Sequence, residues 1–318
     1  MLSPVWAGGM VVNVDDAAMD DFSRTVIGVS ETVSPRVALV RTRSSGGSAV
    51  VCADDGDLLT NAHVVGADDG GTVTFADGTE SRFEVVGVDP LSDLAVLRAR
   101  GGSPGAVALG DAETLVVGQL VVAVGSPLGL AGSVTAGVVS ALGHAVPVSS
   151  RRAGRVIEDV IQTDAASVPG HSGGALCDSR ARVVGINTAV AGFGLGLAIP
   201  INSTTRRIID ALRADGAIRR AYLGLVCVPA PLSAAVAARV GRTGGVRVID
   251  VVRGSPAETA GLRRGDLVIA FGDADVHDAR AVQRGLFAEA IDRPLTVAVL
   301  RRDVVVDIVA VPIELVPH

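Results

Sequence analysis

Short apolar runs broken by glycine, proline and acidic turns fill most of this chain. The runs VALVRT, SAVVCA, DLLTNAHVV, DLAVLRA, LVVGQLVVAVGS, SVTAGVVSAL, RVIEDVIQTDA and RVVGINTAV each read as β-strand. Gly46-Gly47 and Asp54-Asp55-Gly56 mark turns between them, and GTVTFADGTESRFEVVGVD folds back at an Asp77-Gly78 hairpin. Strands of this length and spacing, with no crossover helices between them, predict an all-β barrel or sandwich and disfavour a doubly wound α/β sheet.

Helical spacing is confined to a few segments. Phe22 to Val33 predicts a helix that stops at Ser34-Pro35, since a residue before proline is pushed out of the helical region. STTRRIIDALRA predicts a second helix, with Ser203 as its cap, closing a first domain. A second pattern of strands and short helices follows, through YLGLVCV, Ala234 to Val240, GGVRVIDVV, GSPAETAGLRRGDLVIAFGD, DARAVQRGLFAEA and a closing hairpin PLTVAVLRRDVVVDIVAVPI. The expected organisation is an arm over 1–20, a β-rich domain over 21–214, a linker over 215–221 and a small α+β domain over 222–318.

Composition narrows the function. The 318 residues are 48% hydrophobic, a globular proportion, and the net charge of −6 argues against nucleic acid as partner. Every basic residue apart from histidine is arginine. Cys52, Cys177 and Cys227 are odd in number and widely spaced, so neither a disulfide framework nor a metal site is predicted, and no cofactor is expected. Signal-peptide features and a long apolar run are both lacking. Taken as given, the chain reads as soluble and cytoplasmic; a trimmed N-terminus would allow a periplasmic or other extracytoplasmic location.

Three residues carry the candidate chemistry. Gly170-His171-Ser172-Gly173-Gly174 puts a serine between glycines at a tight turn, where a carbonyl can approach closely. His63 in LLTNAHVV and Asp93 in DPLSDLAVL precede it, giving the order His, Asp, Ser. A neutral imidazole at His63 takes the Ser172 proton during attack and returns it to the leaving amine. Asp93 fixes the ring tautomer, and the turn spanning Gly170, His171 and Ser172 supplies N–H groups for an oxyanion hole.

The stretches TNAHVV, DPLSDLAVL, GSPLGLAGSVTAGVVSALG, QTDAA, PGHSGGAL, VVGINTA and GLAIP together resemble the HtrA (DegP/DegS-like) serine proteases, and GSPAETAGLRRGDLVIAFGD resembles the PDZ domain that follows the protease there. The resemblance covers residues of about 30 to 315. It implies a mainly β fold of two six-stranded chymotrypsin-like barrels followed by a PDZ domain. It also implies action on unfolded or damaged proteins in quality control and stress response, no ATP or metal requirement, and a possible homotrimer. By position it makes Ser167, Thr188, Gly196, Leu197 and Ala198 substrate-pocket residues. Tyr222, Leu223, Gly224 and Leu225 become the loop that holds the carboxylate of a C-terminal peptide.

The chain departs from the family at His171, where asparagine is usual, and at Ser167, where a β-branched apolar residue is common. The loop from Val190 to Gly196 is short, and the one from Gly143 to Arg155 is long and holds Arg151, Arg152 and Arg155. These departures keep two other readings open: a non-catalytic protease-fold scaffold and a holdase chaperone, each working through the PDZ domain.

Overall fold

The computed structural model describes residues 19–126, 132–149, 154–166, 169–190, 195–232, 234–241, 244–276 and 279–316. The first 18 residues of the expected arm, Arg151 and Arg152 lie outside these. α1 (Asp21–Val33) begins where the Asp20 carboxylate accepts the Ser23 N–H at 2.7 Å, and it buries Val29 and Val33.

β1 (Val37–Arg41), β2 (Gly46–Val51), β3 (Asp57–Thr60), β4 (Gly70–Thr74), β5 (Glu80–Asp89) and β6 (Leu94–Ala99) close into a barrel in the order β1-β2-β3-β6-β5-β4. Its interior is filled by Val40, Val51, Leu58, Val73, Phe83 and Leu97. The expected Asp77-Gly78 turn joins β4 to β5, with Gly78 at φ +83°. One expectation is corrected here. DLLTNAHVV is not a single strand: β3 ends at Thr60, and α2 (Ala62–Val65) is one helical turn. The Ala62 N–H donates to the Asp93 carbonyl at 3.1 Å, which takes the main chain out of the barrel ladder.

β7 (Leu120–Gly125), β8 (Ser133–Ser149), β9 (Gly154–Thr163), β10 (Ala175–Cys177), β11 (Val183–Val190) and β12 (Gly196–Pro200) close a second barrel in the order β10-β11-β12-β9-β8-β7. LVVGQLVVAVGS is strand only from Leu120, because a turn with Gly118 at φ +88° precedes it and leaves Val116 and Val117 exposed. α3 (Ser203–Asp215) follows. Its cap is Asn202, not Ser203: the Asn202 side chain accepts the Thr205 N–H, and the Thr205 hydroxyl accepts the Asn202 N–H. Ile208, Ile209 and Leu212 of α3 pack with Val29 and Val33 of α1 and with strands of both barrels in one buried cluster.

The C-terminal part holds β13 (Ala221–Tyr222), β14 (Leu225–Pro231), α4 (Ala234–Val240), β15 (Gly244–Val251), α5 (Pro256–Ala260), β16 (Leu267–Phe271), β17 (Ala274–Asp275), α6 (Ala279–Arg284), β18 (Leu295–Arg301), β19 (Val304–Ala310) and β20 (Ile313–Glu314). β13 pairs with β20, and the main sheet runs β14-β15-β16-β18-β19 with β17 beside β16. DARAVQRGLFAEA is not one helix: α6 ends at Arg284, and a single 3₁₀ turn covers Ala288–Ala290. Between them Phe287 is buried in the cluster that holds α3, with the Arg207 guanidinium 4.3 Å from its ring centroid.

Asp57 ties α3 to the first barrel. Its fully buried carboxylate accepts Arg98 Nε at 2.8 Å and Arg213 Nε at 2.7 Å. Burial alone would raise its pKa, but the two guanidiniums outweigh that and lower it below the usual aspartate value. Asp57→Asn leaves the Arg98 guanidinium without its carboxylate and Arg213 with Asp55 alone, and is expected to lower unfolding free energy by about 2–3 kcal/mol, measured by urea denaturation.

Candidate active site

The site begins with a residue in an uncommon conformation. Asp93 has φ +57°, in the left-handed region where aspartate is better tolerated than most residues. Its neighbours hold it there. The Asp93 carbonyl accepts the Ala62 N–H at 3.1 Å and Asn61 Nδ2 at 3.1 Å. Asp89, four residues earlier, accepts the N–H of Ser92 at 3.1 Å and, through the same oxygen, the Ser92 hydroxyl. Arg220 grips Asp89 with two bonds of 2.7 Å.

The side chain of Asp93 is fully buried and points at His63. His63 Nδ1 lies 2.9 Å from Oδ2 and 3.0 Å from Oδ1, and the His63 N–H also donates to Oδ1 at 3.1 Å. The Thr188 hydroxyl donates to Oδ2 at 2.8 Å. With Nδ1 as donor to the carboxylate, Nε2 is left with its lone pair, the state a general base needs. The imidazole stays 43% exposed, so this pair faces solvent on one side only.

The Ser172 turn comes from the second barrel but is fastened to the first. The Ser172 carbonyl accepts the Ser48 N–H at 2.8 Å, and the Ser48 hydroxyl donates to the Gly170 carbonyl at 2.6 Å. That hydroxyl also accepts the Ser126 N–H at 2.8 Å. Thr60 donates its hydroxyl to the Ser48 carbonyl at 2.7 Å. A Cβ at Gly47 would lie 2.8 Å from both the Ser172 carbonyl oxygen and Val64 Cγ2, so the helical turn of His63 and the turn of Ser172 converge on one point of β2. Gly173 has φ +86°, and a Cβ there would meet the Ser48 carbonyl oxygen at 2.0 Å. Its N–H donates to the Asn187 carbonyl at 2.8 Å, next to Thr188. Gly170 adopts φ +100°. Among the described residues the N–H groups of Gly170 and Ser172 have no acceptor, and Ser172 Oγ makes no hydrogen bond to His63.

The expected pocket residues are distributed unevenly. Thr188 is 1% exposed and uses its hydroxyl on Asp93, a contact the sequence reading did not anticipate. Leu197 and Ala198 are buried at 2% and 0%, with Ala198 in the interior cluster of the second barrel. Gly196 pairs with Thr163. Ser167 and residues 191–194 of the short loop lie outside the described residues. In the C-terminal part, Gly224 has φ +82°, and a Cβ there would lie 2.3 Å from Ser255 Cβ. The Leu223 carbonyl accepts the Ala257 N–H at 2.9 Å, and the Gly224 carbonyl accepts the Val252 N–H at 2.9 Å. Among the described residues the N–H groups of Leu223 and Gly224 have no acceptor, which leaves two adjacent donors for an anion. Tyr222 pairs with Ile313 just before them.

His171 is fully buried against Gly125, and neither of its ring nitrogens has a hydrogen-bond partner among the described residues. Burial lowers its pKa from the ordinary 6.5. The unfolded chain therefore binds this proton more readily than the folded one. The stability contributed by the neutral ring is full above pH 6.5 and declines as pH falls toward the depressed folded value. The slope is at most about 1.4 kcal/mol per pH unit. His171→Phe keeps a ring without nitrogens. Its melting temperature relative to the unaltered chain is expected to rise between pH 8 and pH 5, a comparison in which any constant packing cost cancels.

Comparison with known proteins agrees with this geometry. A model described as a trypsin-like peptidase domain matches residues 47–186, and one described as a PDZ domain matches residues 231–310. HhoA of Synechocystis, named as a serine protease, is 34% identical over 93% of this chain and 79% of its own length. The serine protease PepD of Mycobacterium tuberculosis is 36% identical, over 82% of this chain and 60% of its own length. A Chlamydia trachomatis relative named as a DegP-like periplasmic serine endoprotease is 37% identical over 76% of this chain, and the match spans 48% of that relative. The chain thus spans about half the length of such DegP-like relatives. Among solved structures, the HtrA-type protease AlgW with a tripeptide is 32% identical, with a TM-score of 0.77 over 92% of this chain and 98% of that one. Domain order, barrel topology and these relatives together show that the chain belongs to the HtrA-type serine protease family.

Proposed function

We propose that this chain is a serine endopeptidase that cleaves unfolded or damaged proteins through an acyl-enzyme on Ser172. The observation that carries this reading is the His63–Asp93–Thr188 hydrogen-bonded chain beside a serine turn whose N–H groups have no acceptor among the described residues. Ser172 Oγ attacks the peptide carbonyl as His63 Nε2 takes its proton. The oxyanion that forms accepts from the N–H groups of Gly170 and Ser172. His63 then protonates the leaving amine, the C-terminal fragment departs with its new free amino group, and water repeats the sequence to release the N-terminal fragment as the acid. Asp93 stabilises the imidazolium throughout. The hydroxyl and ring must close to hydrogen-bond distance on substrate binding, as such pairs commonly do.

The division we infer is an arm over 1–20, a protease domain over 21–214, a linker over 215–221 and a PDZ domain over 222–318. The PDZ part binds C-terminal peptides, with their carboxylate on the Leu223 and Gly224 N–H groups and their backbone added to the outer edge of β14. Support comes from the matched PDZ model, and from the tripeptide and decapeptide complexes of AlgW. The DegP-like relatives are named periplasmic, so a location outside the cytoplasm is the one we favour. No described helix is long and apolar enough to cross a membrane. A homotrimer remains the assembly proposed, to be read by sedimentation.

Ser172→Ala is expected to abolish cleavage of a denatured protein such as casein. Cleavage that persists in a clean preparation would overturn the assignment. Asp93→Asn should lower kcat by about 10⁴-fold with the fold intact, because the ring then holds the wrong tautomer. Ser48→Ala removes a donor to Gly170 and an acceptor from Ser126. It should weaken turnover by roughly tenfold while KM changes little, as read by peptide hydrolysis.

A further inference from the structure

The outer edge of β14 has an uneven supply of donors. Val252 donates its N–H to the Gly224 carbonyl at 2.9 Å while Leu225 stands opposite Val251. In an antiparallel ladder that bond brackets a pair whose own N–H and C=O groups point away from the partner strand. Leu225 therefore turns its main-chain groups to the outer edge. The register break in this ladder skips Ile249 on β15, so alternation along β14 is unbroken. Residues 226, 228 and 230 face β15, and residues 225, 227, 229 and 231 face outward.

The sequence puts proline at both 229 and 231, and both are exposed. A proline nitrogen carries no hydrogen, and its ring fills the place where one would point. The two prolines thus leave the β14–β15 ladder intact and alter only the open edge. β14 ends the sheet, and α6 lies beside it, so strand and helix bound the groove.

We propose that Pro229 and Pro231 terminate strand addition, so that this groove reads only the last four residues or so of a protein C-terminus through the main chain. The inference rests on the peptide-binding reading given above. An antiparallel tail with its carboxylate on the Leu223 and Gly224 N–H groups sets its last residue opposite Leu225. Its third-last residue is then opposite Cys227 and its fifth-last opposite Pro229. At that fifth position the tail meets a pyrrolidine ring in place of an N–H, and at the seventh it meets Pro231. The preferred partner is a chain with a short frayed C-terminus, since a longer extended tail gains nothing from the edge. The same rings discourage edge-to-edge pairing of two copies.

The test uses the full chain carrying Ser172→Ala and fluorescein-labelled peptides. One C-terminal sequence is selected from a random library and prepared at three, four, six and eight residues, each as free acid and as amide. Anisotropy should show free acids gaining affinity up to four residues and then staying within about twofold to eight. In the Pro229→Val/Pro231→Val variant the six- and eight-residue peptides should bind about fivefold or more tighter than to the proline-bearing chain, one net hydrogen bond or more being regained. The four-residue peptide should bind both alike, which also reports that the groove is intact. Affinity that climbs steadily to eight residues on the proline-bearing chain overturns the proposal. So does a variant with unchanged four-residue binding that gains nothing from length. Should the variant lose the four-residue peptide, the length series on the proline-bearing chain decides alone. Acids that bind no better than amides, or a library without binders, overturn the peptide-groove reading itself and this proposal with it.

Discussion

The Ser172 turn stands or falls with Ser48. This one buried serine of the first barrel makes three hydrogen bonds to the second, to Ser172, Gly170 and Ser126, while Thr60 holds its carbonyl. Buried groups of this kind are costly to leave unmade, so the two barrels cannot slide relative to each other without losing several bonds together. The glycines around the turn follow from the same constraint. Gly173 lies against the Ser48 carbonyl with no room for a side chain, and Gly47 lies between Ser172 and Val64. The His63 turn and the Ser172 turn are thereby brought to one place from opposite barrels.

The loop that presents Asp93 is a second constraint, met by local bonds. Left-handed backbone at a non-glycine residue costs about 1 kcal/mol or more, and here the Asp93 carbonyl and the Asp89 side chain take up the hydrogen bonds that fix it. Asp89 is also the acceptor for Arg220, which lies next to β13 at the entry to the C-terminal part. The proposed acid of the triad therefore shares a short network with the segment leading to the proposed peptide-binding loop. Phe287, under Arg207 and beside α3, adds apolar contact across the same junction.

Most of the fold was readable because strand alternation and turn chemistry are local. VALVRT, the Asp77-Gly78 hairpin and the closing hairpin of β18 and β19 stand where expected. Two of the misread segments owe their structure to contacts made far along the chain. The helical turn at His63 exists because Ala62 bonds to Asp93, and the break before Ala288 exists because Phe287 is drawn into the cluster under α3. The Thr188 contact with Asp93 and the clamp by Ser48 and Thr60 were missed for the same reason. A lone hydroxyl in a strand looks alike whether it meets solvent or a carboxylate from another element. Burial of a titratable ring at His171, with no partner for either nitrogen among the described residues, was likewise invisible from a substitution alone.

The most direct measurement is covalent labelling by a fluorophosphonate probe, which reacts with a serine only when a base and an oxyanion hole act on it. The account predicts one adduct per chain, on the peptide that contains Ser172, lost in Ser172→Ala and greatly slowed in His63→Ala. No adduct, with or without a C-terminal peptide present, or an adduct on another serine, would contradict it.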